Sequence, residues 1–145
     1  MHGSLLKLAL LSFSLGSSAA VLPRDTGRTS APSGCSTVGT SGDYSTIGDA
    51  LTALGSSTAD ACIYIAAGTY EEQLVINYAG HLTLYGETTD TQTYKQNTVT
   101  ITHTISSPEA GSLDNSATVN IKSDLVSVYN INIANGYGSG AQAVA

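Results

Sequence analysis

Six short runs rich in Val, Ile, Thr and Tyr follow one another between residues 62 and 135, with no helical period separating any two of them. They are CIYIA (62–66), QLVIN (73–77), LTLYG (82–86), TVTITHT (98–104), ATVNIK (117–122) and LVSVYNINIAN (125–135). Such runs suit a pleated, half-buried surface, and the Gly, Asn, Asp and Ser between most of them read as turns. Strands in succession without helices argue for an all-β body, either two packed sheets or a solenoid of stacked coils. Asparagine recurs late in or just after several runs, at Asn77, Asn120, Asn130 and Asn135. In a parallel β-helix, polar residues at a turn can bond the same turn of the next coil, although asparagine favours turns of every kind.

Ahead of the strands the period changes. In GDYSTIGDALTALGSS the apolar residues Ile47, Ala50, Leu51 and Leu54 recur at helical offsets, Ser45 or Thr46 can cap the start and Gly55 can end it. The pattern predicts one amphipathic helix of about three turns lying against something flat. Upstream, residues 21–34 (VLPRDTGRTSAPSG) are polar and rich in Pro, Gly, Ser and Thr, the composition of a linker or propeptide, so the fold is expected to start near Cys35.

Residues 1–20 read as a secretory leader. Lys7 supplies the positive charge, Leu8 to Gly16 form an apolar stretch too short to span a bilayer, and Ser17 to Ala20 offer small residues for cleavage. No second apolar run of spanning length follows, so the mature chain is expected outside the cell. In an oxidising compartment Cys35 and Cys62, 27 positions apart, are expected to form a disulfide, with two free buried thiols as the alternative. Closing that loop would contribute roughly 3 to 4 kcal/mol. Neither cysteine has the neighbours of a zinc site or a redox pair. The formal net charge is −6, and losing Lys7 with the leader makes the mature chain more negative. That disfavours nucleic acid or an anionic membrane as a partner.

Three constellations could carry chemistry. Glu71 and Glu72 precede a strand, but adjacent strand residues face opposite ways and cannot flank one bond, so a structural role is expected. His81 and His103 are the mature histidines, yet no G-x-S-x-G elbow occurs, and two isolated histidines make no metal ligand set. The glycine-rich NGYGSGAQ (135–142) could cradle phosphate only with a helix following, and no Lys or Arg occurs after Lys122 to balance the charge.

Taken in order, GDYSTIGDALTAL, IYIAAGTYEEQLVI, LTLYGETTDT, NTVTITH, NSATVNIKSDLVSVYNINIAN and GSGAQAVA resemble the opening part of the fungal pectin methylesterases (pectinesterases). The resemblance runs from about Cys35 to Ala145. Its G-x-Y-x-E motif is met by Gly68, Tyr70 and Glu72, and its Q-A-V-A segment by Gln142 to Ala145. It implies a right-handed parallel β-helix, a single-stranded pectin-lyase-like solenoid, here truncated, with one N-terminal capping helix. It also implies a monomer that hydrolyses the methyl esters of homogalacturonan (pectin) without metal or cofactor. In that chemistry one aspartate attacks the ester carbonyl, a second acts as acid and then base, and glutamine amides donate to the developing oxyanion. Two carboxylates can divide those roles if their surroundings separate their pKa values.

By the resemblance Gln142 corresponds to the first oxyanion glutamine, while Gly68, Tyr70 and Glu72 are structural. On its own, Gln142 would read as a turn-facing strand residue. The family's two aspartates lie beyond the Q-A-V-A strand, in Gln-Asp-Thr and Asp-Phe segments followed by an arginine. Asp114 and Asp124 stand in other contexts, and no arginine follows Arg28. The family's substrate-binding hydroxyl would fall near Ser112 and Leu113, and stays unassigned. Residues 35–145 are therefore expected to be the N-terminal part of a pectinesterase domain, such as an incomplete gene model would give. Alone it is expected to be inactive and, with a raw solenoid end, prone to aggregate. The alternatives are a secreted pectin-binding or inhibitory module without catalysis, and an unrelated β-solenoid surface protein.

Overall fold

The apolar alternation of the strand runs requires partners on both edges and a shared interior, and parallel stacking supplies both. In the computed structural model, which describes residues 26–145, β1 (Ser36–Val38), β2 (Ala61–Ile65), β5 (Leu82–Gly86) and β8 (Val126–Tyr129) form one sheet in that order. A second sheet holds β3 (Gly68–Glu71), β6 (Val99–His103) and β9 (Ile131–Asn135), and a third holds β4 (Leu74–Ile76) and β7 (Val119–Ile121). All the pairings among these strands are parallel. Each pass of the chain thus lays one strand on each of three sheets, which is a parallel β-helix. Near the C-terminus a parallel bridge from Ala117 to Val144 adds to the third sheet.

Register decides what fills the interior. Ala61, Leu82 and Val126 stack across the first sheet, as do Ile63, Leu84 and Val128. Val99 pairs with Ile131 and Ile101 with Ile133 in the second sheet, and Leu74 with Val119 and Ile76 with Ile121 in the third. Ile63, Leu74, Ile76, Leu82, Leu84, Val99 and Ile101 are buried in one cluster. Each such side chain contributes about 1.5–3 kcal/mol relative to an exposed position. The stack ends openly: Leu84 is 1% exposed, but Val128 above it is 37% and Ile121 is 47%.

The opposite end is closed by α1 (Ile47–Leu54), whose 8 residues make about two turns, not the three that the sequence pattern suggested. Ile47 and Ala50 are buried against the first coils, with Tyr44, Leu51 and Leu54 packed around them. The N-cap is Thr46, whose hydroxyl accepts from the Asp49 N–H at 3.1 Å. Glu72 completes this end from the corner after β3. Its Oε2 accepts from Ile47 N–H and its Oε1 from Gly48 N–H, both at 2.9 Å. The carboxylate thereby meets the orphan donors and the positive end of the helix. Cys35 and Cys62 are disulfide-bonded, tying the start of the first sheet to β2 across the loop that contains α1.

Several elements differ from the sequence reading. The run 125–135 is two strands, because Asn130 turns the chain with φ 56 between β8 and β9. Asparagine tolerates this left-handed conformation better than most residues. Gly86 lies directly beneath, and a Cβ there would collide with the Asn130 carbonyl oxygen. The recurring asparagines occupy unlike positions: Asn120 pairs with Val75 and Asn135 with His103. Coil-to-coil asparagine bonding is made by Asn130, whose Nδ2 donates to Asn97 Oδ1 at 3.2 Å, while Asn97 Nδ2 donates to Asn132 Oδ1 at 3.1 Å.

The leader, residues 1–20, lies outside the described residues, as does the start of the segment given a linker composition. Residues 26–34 of that segment run along the coils. Arg28 exchanges backbone hydrogen bonds with Thr88, and Thr26 O accepts from Thr91 N–H. The Arg28 guanidinium sits 4.6 Å over the Tyr85 ring and donates to Gly86 O and Asn130 Oδ1, both at 3.2 Å. Tyr85 in turn stacks on Tyr129, with ring centroids 5.4 Å apart.

If the inward ladder carries the fold, Leu84→Ala should cost about 2–5 kcal/mol, because both coils flanking it are fixed by their own ladders and cannot close the cavity. Urea unfolding should show a lower midpoint at unchanged slope.

Candidate functional site

Between β6 and β7 the chain leaves the coil for residues 104–118 and returns, and this excursion shapes a cleft around Gln142. Its short helix α2 (Ser107–Ala110) starts with a capping box. Ser106 N–H and Ser106 Oγ donate to Glu109 Oε2 at 2.9 and 2.6 Å. Those bonds hold the Glu109 carboxyl below its ordinary value of 4.5. The next donor in the loop, Ser107 N–H, binds the Gln142 backbone carbonyl at 2.7 Å.

Asn135, at the end of β9, secures the other side. Its Nδ2 donates to Ile105 O at 2.9 Å, Ser116 O at 2.9 Å and Val144 O at 3.1 Å, while its Oδ1 accepts from Tyr137 N–H at 3.0 Å. One amide thus joins the excursion, the second sheet and the last segment. Thr118 N–H donates to Val144 O at 3.1 Å and completes the bridge. The backbone of Gln142 is therefore held while its side chain stays exposed, with no hydrogen-bond partner among the described residues. The surrounding cleft measures about 470 Å³ and is lined by Leu113, Asn135, Tyr137, Gln142, Ala143 and Ala145 among others.

A second, smaller cleft of about 160 Å³ adjoins it across residues 113–115, on the outer side of the third sheet, with Val75, Asn120 and Lys122 in its walls. Gln73 Nε2 anchors the shared wall by donating to Asn115 O at 2.6 Å and Ala117 O at 3.1 Å. Lys122 Nζ lies 3.9 Å from Asp114 Oδ2, both exposed, an ion pair of small energetic weight.

The other residues singled out from sequence lie elsewhere. Glu72 caps α1, and the Tyr70 hydroxyl donates to Ala66 O at 2.9 Å. Burial pushes the Tyr70 phenol up, with the charges of Glu72 and Glu87 adding to it. Glu71 is exposed at the end of β3. His81 Nε2 is 3.0 Å from Ser127 Oγ at the first sheet, whereas His103 ends β6 in the second, so the two histidines do not form one site. Among the described residues no group of three or more His, Cys, Asp or Glu could hold a metal ion. After the glycine-rich 136–140 comes the bridge to Ala117, not a helix, so no helix N-terminus faces that turn. Asp114 and Asp124 are exposed. Sequence reasoning missed the second helix and the part it plays beside Gln142, although Ser106-x-x-Glu109 with Pro108 inside is a readable helix start.

Residues 36–145 match the family model described as pectinesterase. A probable pectinesterase A of Aspergillus flavus is 99% identical over 145 residues, all of this chain and 45% of that protein. The pectinesterase A of Emericella nidulans is 69% identical over 137 residues, 92% of this chain and 42% of that one. Among solved structures, a pectin methylesterase from Aspergillus niger superposes with a TM-score of 0.80 at 78% identity, over 81% of this chain and 39% of that chain. The chain thus spans about half the length of the curated relatives it matches.

The capping box gives the cleft a pH dependence with a definite sign. Because the Glu109 carboxyl titrates lower in the folded chain, its contribution is present above the ordinary value of 4.5 and is lost as pH falls through the lowered folded value. NMR titration should find Glu109 below 4.5, and Ser106→Ala should raise it toward that value without reaching it, because the backbone N–H of residue 106 still donates to the carboxylate. The amide signals of Ser107 and Gln142 should follow the same titration.

Proposed function

The chain belongs to the pectinesterase family, and on that premise we propose that it supplies the first coils and one oxyanion donor of a secreted pectin methylesterase. The reaction is hydrolysis of the methyl esters of homogalacturonan to pectate and methanol. The observation that carries this reading is the Gln142 side chain, an amide left without a partner beside a cleft while its backbone is fixed by Ser107.

An ester carbonyl under attack gathers negative charge on its oxygen. A fixed amide N–H aimed there lowers the barrier without reorganising, typically by about 2.7–4 kcal/mol. Gln142 Nε2 can serve in that way because no protein acceptor competes for it. The nucleophile and the proton-transfer group are carboxylates in this chemistry: one carboxylate oxygen bonds to the carbonyl carbon, the methoxide takes a proton and leaves as methanol, and water then cleaves the acyl-enzyme. No carboxylate among the described residues fits those roles. Asp114 opens on the adjoining cleft beside Lys122, and Glu109 is occupied by Ser106. The 145 residues alone are accordingly expected to release no methanol.

Secretion forms part of the same proposal, with cleavage after Ala20. Among the described residues no helix is long and apolar enough to cross a membrane. A non-catalytic pectin-binding role is the second reading, favoured by the two adjoining clefts along the third sheet.

In the full-length protein carrying this chain, Gln142→Ala should lower kcat for methanol release about 10²–10³-fold while leaving KM within a few-fold. An unchanged kcat would remove Gln142 from the oxyanion role. Pectin retention by residues 1–145, with no methanol detected, would favour the second reading.

A further inference from the structure

The amide that joins the last segment to the coils belongs to the sequence's one Asn-Gly pair, Asn135-Gly136. Asparagine before glycine is the pair most prone to deamidation, because a glycine nitrogen carries no Cβ beside it to hinder attack on the preceding carboxamide. The fold calls for both residues. Asn135 Nδ2 donates to the carbonyls of Ile105, Ser116 and Val144, and only a donor can serve three acceptors. At Gly136 an added Cβ would lie 2.5 Å from Thr104 Oγ1, so any larger residue displaces the start of the 104–118 excursion. The coil geometry thus sets a labile pair at the point where three segments meet.

The same contacts withhold the reaction. The attacking group, Gly136 N–H, donates to His103 O at 2.8 Å. The carboxamide is bonded at both ends, since its Oδ1 also accepts from Tyr137 N–H at 3.0 Å and Ile105 N–H at 3.4 Å. Attack therefore requires the excursion and the last segment to part from the end of β9. We propose that Asn135 is a latent deamidation site, closed while residues 104–118 and 142–145 are seated on β9 and open when they leave it. Once open, Gly136 N loses its proton to solvent and bonds to the Asn135 side-chain carbonyl carbon. The bond from that carbon to Nδ2 breaks and ammonia departs, leaving a cyclic imide. Water then opens the imide at either carbonyl, giving aspartate or an isoaspartyl linkage. Neither product restores the junction. An aspartate carboxylate would face the carbonyl oxygens of Ile105, Ser116 and Val144 with nothing to donate. An isoaspartyl linkage carries a side-chain methylene into the main chain and moves residue 136 away from His103 O. The step is thus one-way, and it frees the segment that bears Gln142.

The test follows the full-length protein at mildly alkaline pH by peptide mapping, reading the mass gained as amide becomes acid and the isoaspartyl fraction at residue 135. A synthetic peptide of residues 131–140 supplies the unprotected rate. The folded protein should deamidate there at least about tenfold more slowly than the peptide, as the opening of a local unit demands. Urea below the global unfolding transition should speed the reaction. The deamidated protein, once separated, should lose hydrogen-exchange protection at the N–H groups of Ser107 and Thr118, the donors to Gln142 and Val144, while Leu84 keeps its own. Asn135→Asp should show that loss from the start, and if this variant does not fold, the deamidated wild-type fraction decides the point. A folded rate equal to that of the peptide, or a rate that rises only with global unfolding, would overturn the proposal. So would a deamidated protein that keeps protection at Ser107 and Thr118. No readout involves methanol release, so failure here is distinct from failure of the esterase reading.

Discussion

Coil-to-coil stacking of like side chains in parallel register is the interaction on which everything else rests. Ile63 lies beside Leu84 and Leu84 beside Val128, and the same spacing repeats in the other two sheets. A slip of one residue would turn every such ladder outward, so the interior and the register specify each other. This also explains why loops of very different length are tolerated. The chain passes from β2 to β3 in two residues but leaves the coil between β6 and β7 for residues 104–118, and the ladders on either side are undisturbed.

The candidate site lies against those excursions. The strands set the height of each coil, and the loop then delivers side chains to a fixed level. Gln142 is held by the Ser107 N–H from the 104–118 loop, and Val144 just after it by the Asn135 amide from the end of β9. Neither donor lies within six residues of its acceptor in sequence. A structure with the same coils but a different excursion would keep the solenoid and lose the cleft.

Much of the architecture was legible because the strand runs alternate and the single amphipathic helix carries its own cap and stop. Five of the six runs contain one strand each, with edges moved by a residue or two. What escaped notice has local physical causes. β1 and β3 are only 3 and 4 residues long and carry little apolar signal. The bend at Asn130 uses a residue that elsewhere in this chain sits in an ordinary strand, as Asn132 does in β9. The ordered strap of residues 26–34 has the composition of a linker, and its attachment depends on Tyr85 and Thr88, which are distant in sequence. At the site, Gln142 was found through resemblance to a motif, since nothing in its spacing marks it. Asn135 was visible as a recurring residue but not as a hub, because its partners Ile105, Ser116 and Val144 come from three separate segments.

The two ends of the stack are unlike, and the difference bears on the cleft. At one end α1 covers the interior, and its own exposed donors are satisfied by Glu72, so the first coils are closed in both apolar and polar terms. At the other, Val128, Ile121 and Val144 present apolar surface, and the cleft of Gln142 is built on that same side. Side chains that face an open coil lose the packing that would fix their rotamers. Gln142 has its backbone carbonyl held by the Ser107 N–H, while the direction of its amide is set by no partner among the described residues. Preorganisation of an oxyanion donor demands both. If Gln142 is the donor proposed above, the coils described here set its position and leave its direction open.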